Sequence, residues 1–175
     1  MFADPAKILK SFGIAENMIV ADFGAGSGFY AISAGRLASN GKIYAIGVQK
    51  DFLPTIRDNA KRAGLNNIEA IWGDIEKIGG TKLADNLADV AIISNVLFLT
   101  QNKMKVVQEA CRILKKDGRI LFIDWVDSSS SLGPKGDAIF SAEKARTLFE
   151  QSGFLYSQDI DAGAHHYGMI FKKNT

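Results

Sequence analysis

An acidic residue followed by three alternating glycines is the clearest chemical signal in the first part of the chain. Asp22 ends an apolar run, and Gly24, Gly26 and Gly28 follow it. Because glycine adopts positive φ and carries no side chain, such a loop can turn sharply and let a ligand lie against its backbone. A carboxylate beside the loop attracts an ammonium group and repels a phosphate. We therefore predict a site for a ligand that carries a positive charge.

The spacing of these glycines argues against a dinucleotide. A dinucleotide-binding loop follows G-x-G-x-x-G, with its last glycine where the helix crosses the strand and the pyrophosphate on the helix N-terminus. Counted from Gly24, that last position holds the bulky Phe29. The pattern Asp-x-Gly-x-Gly-x-Gly instead suits the methionine end of S-adenosylmethionine. On the loop alone, a tight strand-to-helix turn without a ligand stays open as the alternative.

A second source of chemistry is a pair of adjacent histidines, His165 and His166, the only two in the chain. An imidazole with an ordinary pKa of about 6.5 can accept a proton from a hydroxyl, amine or carbon acid near neutral pH. Neighbouring residues of an extended segment point to opposite faces, so at most one of the two can face a pocket. We predict that one is a general base; two hairpin-tip residues without a catalytic role are the alternative. Adjacent histidines cannot easily share one ion, so we predict no metal site.

Strands and helices alternate along most of the sequence, and these elements must position the loop and the histidines. Near-continuous apolar strands that alternate with helices indicate a parallel sheet covered on both faces. A turn is predicted at 116–118, and Gly79-Gly80 and Asp85-Asn86 frame a predicted loose or short helical connection before the strand at 89–94. The predicted strands are residues 18–22, 42–48, 68–72, 89–94 and 119–125, and the predicted helices are residues 4–12, 30–38, 52–63, 103–114 and 141–152.

The last two strands are predicted at 154–160 and 166–171, with only a few residues between them. That connection is too short for a parallel crossover, so the two segments must form an antiparallel hairpin. Residues 127–137 are rich in serine, glycine and proline and are predicted as a loop. Together with the N-terminal segment, this loop is expected to form a lid.

This order of elements resembles the class I, seven-strand S-adenosylmethionine-dependent methyltransferases over essentially the whole chain. The resemblance implies an α/β fold, a three-layer α-β-α sandwich around a mostly parallel seven-strand sheet. The implied strand order is 3-2-1-4-5-7-6 with strand 7 antiparallel. It also implies one domain over residues 1–175, with an N-terminal helix in 1–14, the parallel α/β part in 15–153 and the hairpin in 154–175.

Three local motifs carry the resemblance. Residues 20–28 look like the family's first motif, in which the strand-end carboxylate and the glycine loop hold the methionyl part of the cofactor. Residues 73–75 resemble the segment after strand 3, where the aspartate takes the adenine amino group and the next apolar residue lies on the ring. Residues 94–97 occupy the position after strand 4 that lines the reactive end. The cofactor-binding residues implied are Asp22, Gly24, Gly26, Gly28, Tyr30, Gly47, Val48, Gln49, Asp74, Ile75, Ser94 and Asn95.

One position departs from the family pattern. The family usually ends strand 2 with an acidic residue that accepts hydrogen bonds from both ribose hydroxyls, whereas this chain has Gly47. Losing charge-assisted hydrogen bonds removes on the order of 1.5–3 kcal/mol each. Gln49 or Asp51 could reach the ribose instead; the alternative is that Gln49 is a surface residue and Asp51 caps the next helix.

The reactive end should lie at the carboxyl ends of the parallel strands, where ligands bind in open α/β sheets. Strand 5 ends there, and the antiparallel strand 7 brings the tip of the hairpin back to the same edge. Methyl transfer depends mainly on alignment, and aromatic faces tolerate a sulfonium charge. We predict His165, His166 and Asp124 as catalytic residues and Trp125, Tyr167 and Phe98 as substrate-binding residues.

The composition narrows the function further. Lys and Arg number 21 against 19 Asp and Glu, which leaves a net charge of +2 and no strongly basic field for a phosphate backbone. Nucleic acid is therefore possible but not indicated. Cys111 is the only cysteine, so no internal disulfide can form, and a reducing, cytoplasmic setting fits. The sequence shows no signal peptide and no apolar run long enough for a bilayer.

These observations predict an S-adenosylmethionine-dependent methyltransferase that acts on a small molecule or another modest acceptor at O, N or C. The first alternative is a cofactor-binding or sensing module of the same fold with weak or lost catalysis, as Gly47 suggests. The second is a nicotinamide-dependent reductase, which Phe29 and the hairpin disfavour. The oligomeric state stays open.

Overall fold

Seven strands pair into one sheet in the computed structural model, which describes residues 4–126, 133–134 and 136–174. The sheet order is β3-β2-β1-β4-β5-β7-β6, with β1 to β5 parallel and β7 antiparallel to both of its neighbours. The predicted fold and strand order are confirmed. The strands are β1 (Ile19–Phe23), β2 (Lys42–Gly47), β3 (Ile68–Trp72), β4 (Ala88–Ser94), β5 (Leu114–Trp125), β6 (Phe154–Ile160) and β7 (His166–Lys173).

Helices cover both faces of the sheet and complete the three layers. Alternate residues of the central strands enter two separate buried clusters: Leu121 packs with the first three helices and Phe122 with the last two. This alternation follows from the period of two along a strand. The helices are α1 (Pro5–Phe12), α2 (Phe29–Leu37), α3 (Phe52–Arg62), α4 (Lys103–Ile113) and α5 (Ala142–Gln151). None of the helices in these ranges is long and apolar enough to cross a membrane.

Polar and flexible residues set the helix ends as the sequence predicts. The Asp4 side chain accepts a hydrogen bond from the amide of Ala6 at 2.9 Å at the start of α1, and Gly13 ends that helix with φ of 85°. Ser141 caps α5 through the amide of Lys144. Such caps satisfy amide and carbonyl groups that have no partner inside the helix.

Two connections differ from the prediction. The turn predicted at 116–118 lies inside β5. Leu114 already pairs with Ala88 of β4, and the register then shifts before Arg119 pairs with Val90. Asp117 takes φ of 63° in this irregular stretch. Residues 73–87 form neither a helix nor a strand, and hydrogen-bonded turns fold the first part of the segment tightly on itself. Most of the predicted serine-rich loop, 127–132 and 135, lies outside the described residues.

Candidate active site

Two cavities open at the carboxyl ends of the central strands and meet at the glycine loop. The first, of about 390 Å³, lies between the ends of β2 and β3; we call it the Gly47 cavity. The second, of about 610 Å³, lies between β1, the start of α2 and the end of β4; we call it the Asp22 cavity. Both volumes are typical of small-molecule sites. The residues that line both are Gly24, Gly26 and Asn95.

The glycine loop leaves β1 and folds back over β2. The amides of Gly24 and Ala25 both donate to the carbonyl of Ile46, at 2.9 and 3.0 Å. Gly24 takes φ of 72°, and a Cβ there would lie 2.5 Å from Cγ2 of Val96. Gly26 takes φ of 52° with open space where a side chain would be, so its backbone faces the cavities. Glycine is therefore needed at both positions for conformation, and at Gly24 also for close packing.

Asp22 is buried at the end of β1 with one carboxylate oxygen unused. The residue is 2% exposed, and Oδ2 has no hydrogen-bond partner among the described residues. Burial raises its pKa to about 7, and a hydrogen bond from the Ala31 amide opposes that shift only in part. A buried carboxylate oxygen without a hydrogen-bond donor is costly to the fold. The site is thus prepared for a cationic or hydrogen-bond-donating ligand.

Three more polar side chains stand beside Asp22. Burial raises the pKa of Tyr30 to about 12, with Ser94 and Asp22 acting on it in opposite directions. Asn95 takes φ of 55° and its amide donates to the carbonyl of Ile123 at 2.9 Å. Its buried Oδ1 accepts no hydrogen bond among the described residues. The Asp22 cavity therefore combines a carboxylate, a phenol and an amide at one point.

The Gly47 cavity has a different character. Asp74 lines it, but its Oδ1 accepts a hydrogen bond from the Glu76 amide at 3.0 Å and its Oδ2 lies 3.6 Å from Nζ of Lys77. A Cβ at Gly47 would meet no atom of the described part of the chain within 4 Å, so the place of a side chain is open there. Gln49 lines this space.

The two side chains considered in place of the missing acidic residue, Gln49 and Asp51, take different positions. Asp51 is at the N-cap of α3 without a side-chain capping bond, and it does not line the cavity. Gln49 and Val48 are exposed and line it, next to the apolar Phe52. Gln49 is therefore the side chain placed to reach a ligand near Gly47.

One of the two histidines reaches the Asp22 cavity. His166 lines it, and its ring centre lies 4.3 Å from that of Trp125. Trp125 is buried beneath His166 and does not line the cavity itself. His165 lies outside both linings, and its carbonyl accepts a hydrogen bond from the Val126 amide. The two adjacent histidine side chains thus point to opposite sides, as expected for an extended segment.

The remaining predicted residues lie away from both cavities, Asp124 and Tyr167 on the other face of the sheet and Phe98 in a short 3₁₀ helix after β4. Asp124 is fully buried, and burial raises its pKa to about 6 while hydrogen bonds from the amides of Trp125 and Phe98 lower it. Tyr167 pairs with Asp124 across the sheet and donates to the carbonyl of Phe140 at 2.5 Å. None of Asp124, Tyr167 and Phe98 lines either cavity.

The family comparison agrees with this geometry. A family model described as "Methyltransferase domain" matches residues 14–170. The chain belongs to the methyltransferase domain family. A solved structure of a SAM dependent methyltransferase from Aquifex aeolicus superimposes with a TM-score of 0.88 at 27% identity, covering 98% of this chain and 90% of that one.

Two curated relatives carry more specific names. A probable cobalt-precorrin-6B C(15)-methyltransferase (decarboxylating) of Methanosarcina mazei is 29% identical over 59% of this chain and 56% of its own length. An arsenite methyltransferase of Aquipseudomonas alcaligenes is 30% identical over 85% of this chain and 43% of its own length. The chain thus spans about half the length of these two relatives.

S-adenosylmethionine is the cofactor that the family match and the Aquifex aeolicus structure indicate. The residues of this methyltransferase domain fit it. The unused oxygen of Asp22 suits an ammonium group, and the open backbone at Gly26 lets a ligand pass between the two cavities. The Gly47 cavity, lined by Val48 and Ile75, offers apolar contact for a base.

Sequence reasoning missed a buried ionic cluster beside the site. Glu109 in α4 is fully buried and contacts Thr81 and Arg112. The available signal was a charged residue on the apolar stripe of a helix, since Glu109 lies between Val106 and Ile113, both buried.

Proposed function

We propose that the protein is an S-adenosylmethionine-dependent methyltransferase that methylates a small molecule or another modest acceptor at an O, N or C atom. One observation carries the proposal. Oδ2 of Asp22 is buried and without a partner among the described residues, and Asp22 lines the Asp22 cavity beside the glycine loop at which the two cavities meet. An ammonium group is the ligand feature that would best compensate this carboxylate.

The proposed cofactor site spans both cavities. Asp22 binds the ammonium group, and the backbone at Gly24, Gly26 and Gly28 carries the methionyl part. Tyr30, Ser94 and Asn95 line the reactive end. In the Gly47 cavity, Asp74 accepts from the adenine amino group, Val48 and Ile75 flank the ring and Gln49 contacts the ribose. The full set of proposed cofactor-binding residues is Asp22, Gly24, Gly26, Gly28, Tyr30, Gly47, Val48, Gln49, Asp74, Ile75, Ser94 and Asn95.

The bound cofactor supplies a methyl group already activated on sulfur, so the protein mainly aligns the acceptor. We propose His166 as the general base that removes the acceptor proton, because it lines the Asp22 cavity. Trp125 would orient the imidazole through their ring contact. Asp124, His165, Tyr167 and Phe98 would act only indirectly, through the strand ends and turns that they hold.

The proposed acceptor is a small molecule because the Asp22 cavity has the size of a small-molecule site. Arsenite is a poor fit: trivalent arsenic prefers thiolate ligands, and Cys111, the only cysteine, lies in α4 and lines neither cavity. The net charge of +2 gives no support for a nucleic acid acceptor. A cytoplasmic location belongs to the proposal and rests on the single cysteine.

Calorimetric titration with S-adenosylmethionine, S-adenosylhomocysteine and NAD tests the proposal. We expect heat of binding with both sulfur nucleosides and none with NAD. Transfer of a labelled methyl group from S-adenosylmethionine to a panel of small hydroxyl, amine and carbon-acid acceptors should then identify the substrate. Absence of binding by either sulfur nucleoside would contradict the proposal.

A binding or sensing module is the second candidate, and the open position at Gly47 favours it because no carboxylate stands there. Such a module would bind S-adenosylhomocysteine but transfer no methyl group to any acceptor in the panel. Binding of NAD alone would instead favour a reductase.

A further inference from the structure

One wall of the Gly47 cavity comes from a segment without regular structure. Residues 73–81, which we call the adenine loop, contribute Asp74, Ile75 and Glu76 to the cavity. Of the other walls, β2 and α3 are regular elements, and the glycine loop and residues 95–100 complete the lining. The place of Asp74 therefore depends on what holds this loop.

Glu109 holds the loop from outside. Its Oε2 accepts from the amide of Gly79 at 2.7 Å, and its Oε1 accepts from the amide of Thr81 at 3.2 Å and the Thr81 hydroxyl at 2.5 Å. Arg112 donates to both carboxylate oxygens, at 2.9 and 2.7 Å. The same arginine also pairs with Asp85. Glu109 itself is fully buried, so its carboxylate depends on these partners inside the protein.

The loop transmits this constraint to Asp74 because it is tightly closed. The Asp74 amide donates to the carbonyl of Gly80 at 3.0 Å, and the Gly80 amide donates to that of Lys77 at 2.9 Å. A Cβ at Gly80 would overlap the carbonyl oxygen of Asp74, and one at Gly73 would lie 2.8 Å from the carbonyl oxygen of Gly80. A shift at 79–81 must therefore move Asp74 as well.

The same helix also reaches the near end of the adenine loop. The amide of Asn102, the N-cap of α4, donates to Oε2 of Glu76 at 2.7 Å. Immediately before it, Leu99 and Thr100 line the opposite side of the Gly47 cavity. One helix thus fixes the spacing between two walls of the cavity.

We propose that Glu109 is a positioning residue for cofactor recognition. By binding Gly79 and Thr81, it sets the place of the Asp74 carboxylate that receives the 6-amino group of adenine. This role rests on the proposed function, since it gives the Gly47 cavity an adenine to recognise. Glu109 touches neither cavity and acts only through the loop.

The test compares two nucleosides that differ at one group. S-adenosylhomocysteine presents a 6-amino donor to Asp74, whereas S-inosylhomocysteine presents a 6-oxo acceptor that the carboxylate repels. Both are titrated by calorimetry into the unaltered protein and into Glu109→Gln. We expect Glu109→Gln to weaken the binding of S-adenosylhomocysteine by about tenfold, which corresponds to the loss of about one good hydrogen bond. The binding of S-inosylhomocysteine should weaken by less than about twofold. The preference for the amino nucleoside then falls by about fivefold or more.

Two further variants make the result specific. Asp89→Asn is the matched control, because Asp89 also accepts from a backbone amide, that of Ile19 at 2.8 Å, and pairs with Lys115 at 2.8 Å. It does so at the start of β1, away from both cavities, and should leave the preference unchanged. Thr81→Val keeps the side-chain shape, removes one bond to Glu109 and should lower the preference by a smaller factor.

A Glu109→Gln protein that unfolds cooperatively and keeps the full preference for S-adenosylhomocysteine would overturn the positioning role. If Glu109→Gln does not fold, an unchanged preference in Thr81→Val would overturn it equally. Equal weakening of both nucleosides would also count against it, since that result reports a general structural change. Absence of S-adenosylhomocysteine binding by the unaltered protein would instead contradict the proposed function and, with it, the positioning role.

Discussion

Asp22 and Glu109 are both buried carboxylates, yet their surroundings are opposite. Asp22 is 2% exposed and Glu109 fully buried. Burial raises the pKa of Asp22 to about 7. Burial acts on Glu109 in the same direction, but hydrogen bonds from Arg112, Thr81 and the Gly79 amide outweigh it and lower its pKa to about 2.

The difference separates a carboxylate that serves the fold from one that serves a ligand. Glu109 has its partners within the chain and uses them to hold the adenine loop. Asp22 has one oxygen without a partner among the described residues, and it lines the Asp22 cavity beside the glycine loop. A buried carboxylate with too few partners destabilises a fold. We therefore expect Asp22 to lower the stability of the free protein and to contribute to ligand binding instead.

The largest contrast should appear in stability. Glu109→Ala leaves Arg112 without its main partner and should lower the free energy of unfolding by about 3–5 kcal/mol. Asp22→Asn removes an uncompensated charge while keeping the shape, and should raise the free energy of unfolding by about 2–4 kcal/mol at pH 8. Urea unfolding of the three proteins measures both changes. A loss of stability in Asp22→Asn at pH 8 would contradict the account of Asp22.

The pH dependence of these effects should also be opposite. The pKa of Asp22 is raised from 3.8 to about 7, so its neutral form suits the fold and its unfavourable effect grows as pH rises through that window. The gain from Asp22→Asn should therefore be small near pH 4 and full above 7. The pKa of Glu109 is lowered from 4.5 to about 2, so its stabilisation is present above 4.5 and is lost as pH falls towards 2.

A smaller effect is expected on turnover when His166, which lines the same cavity as Asp22, is replaced. His166→Gln should lower kcat by about a hundredfold or more, because a general base typically contributes that much. Its affinity for S-adenosylhomocysteine should change by less than about twofold, since the histidine is proposed to serve the acceptor. The same change at His165 provides the comparison. A larger loss of kcat at His165 than at His166 would show that the base is wrongly assigned.

The smallest effect concerns the open position in the Gly47 cavity. Gly47→Asp should tighten binding of S-adenosylhomocysteine by about tenfold, because a carboxylate there can accept from ribose hydroxyls. The structure leaves room for the side chain, and φ is not in the left-handed region. Gly47→Ala is the control and should have little effect. Weaker binding by Gly47→Asp would mean that another group already fills this place in the complex.

The Asp22 half of the site was predictable from sequence because its determinants are local. Asp22 and the three glycines lie within seven consecutive positions, and the strand and helix beside them follow from short patterns. The sheet order followed from the resemblance and the short final hairpin. Neighbouring side chains of an extended strand point to opposite faces, which separates His165 from His166 and also Asp124 from Trp125. Only one face of β5 therefore lies towards the Asp22 cavity.

The contacts between Glu109 and the adenine loop were not predictable because the residues involved are distant in sequence. Glu109 binds groups 28 and 30 residues before it, and no repeating pattern marks such contacts. From the sequence, the connection after β3 was therefore predicted to be loose, whereas backbone hydrogen bonds within it fold it tightly in the structure. The turn expected at 116–118 failed for a related reason, since the pairing of Leu114 with Ala88 of β4 extends β5 beyond what local residues suggest.

The most direct test of the account is a binding cycle between Asp22 and the cofactor's amino group. S-adenosylhomocysteine and its analogue with hydrogen in place of the α-amino group are titrated by calorimetry into the unaltered protein and into Asp22→Asn. We predict that removing the amino group weakens binding to the unaltered protein by about a hundredfold and to Asp22→Asn by less than about threefold. An equal loss in both proteins would contradict the claim that the unused oxygen of Asp22 receives the ammonium group.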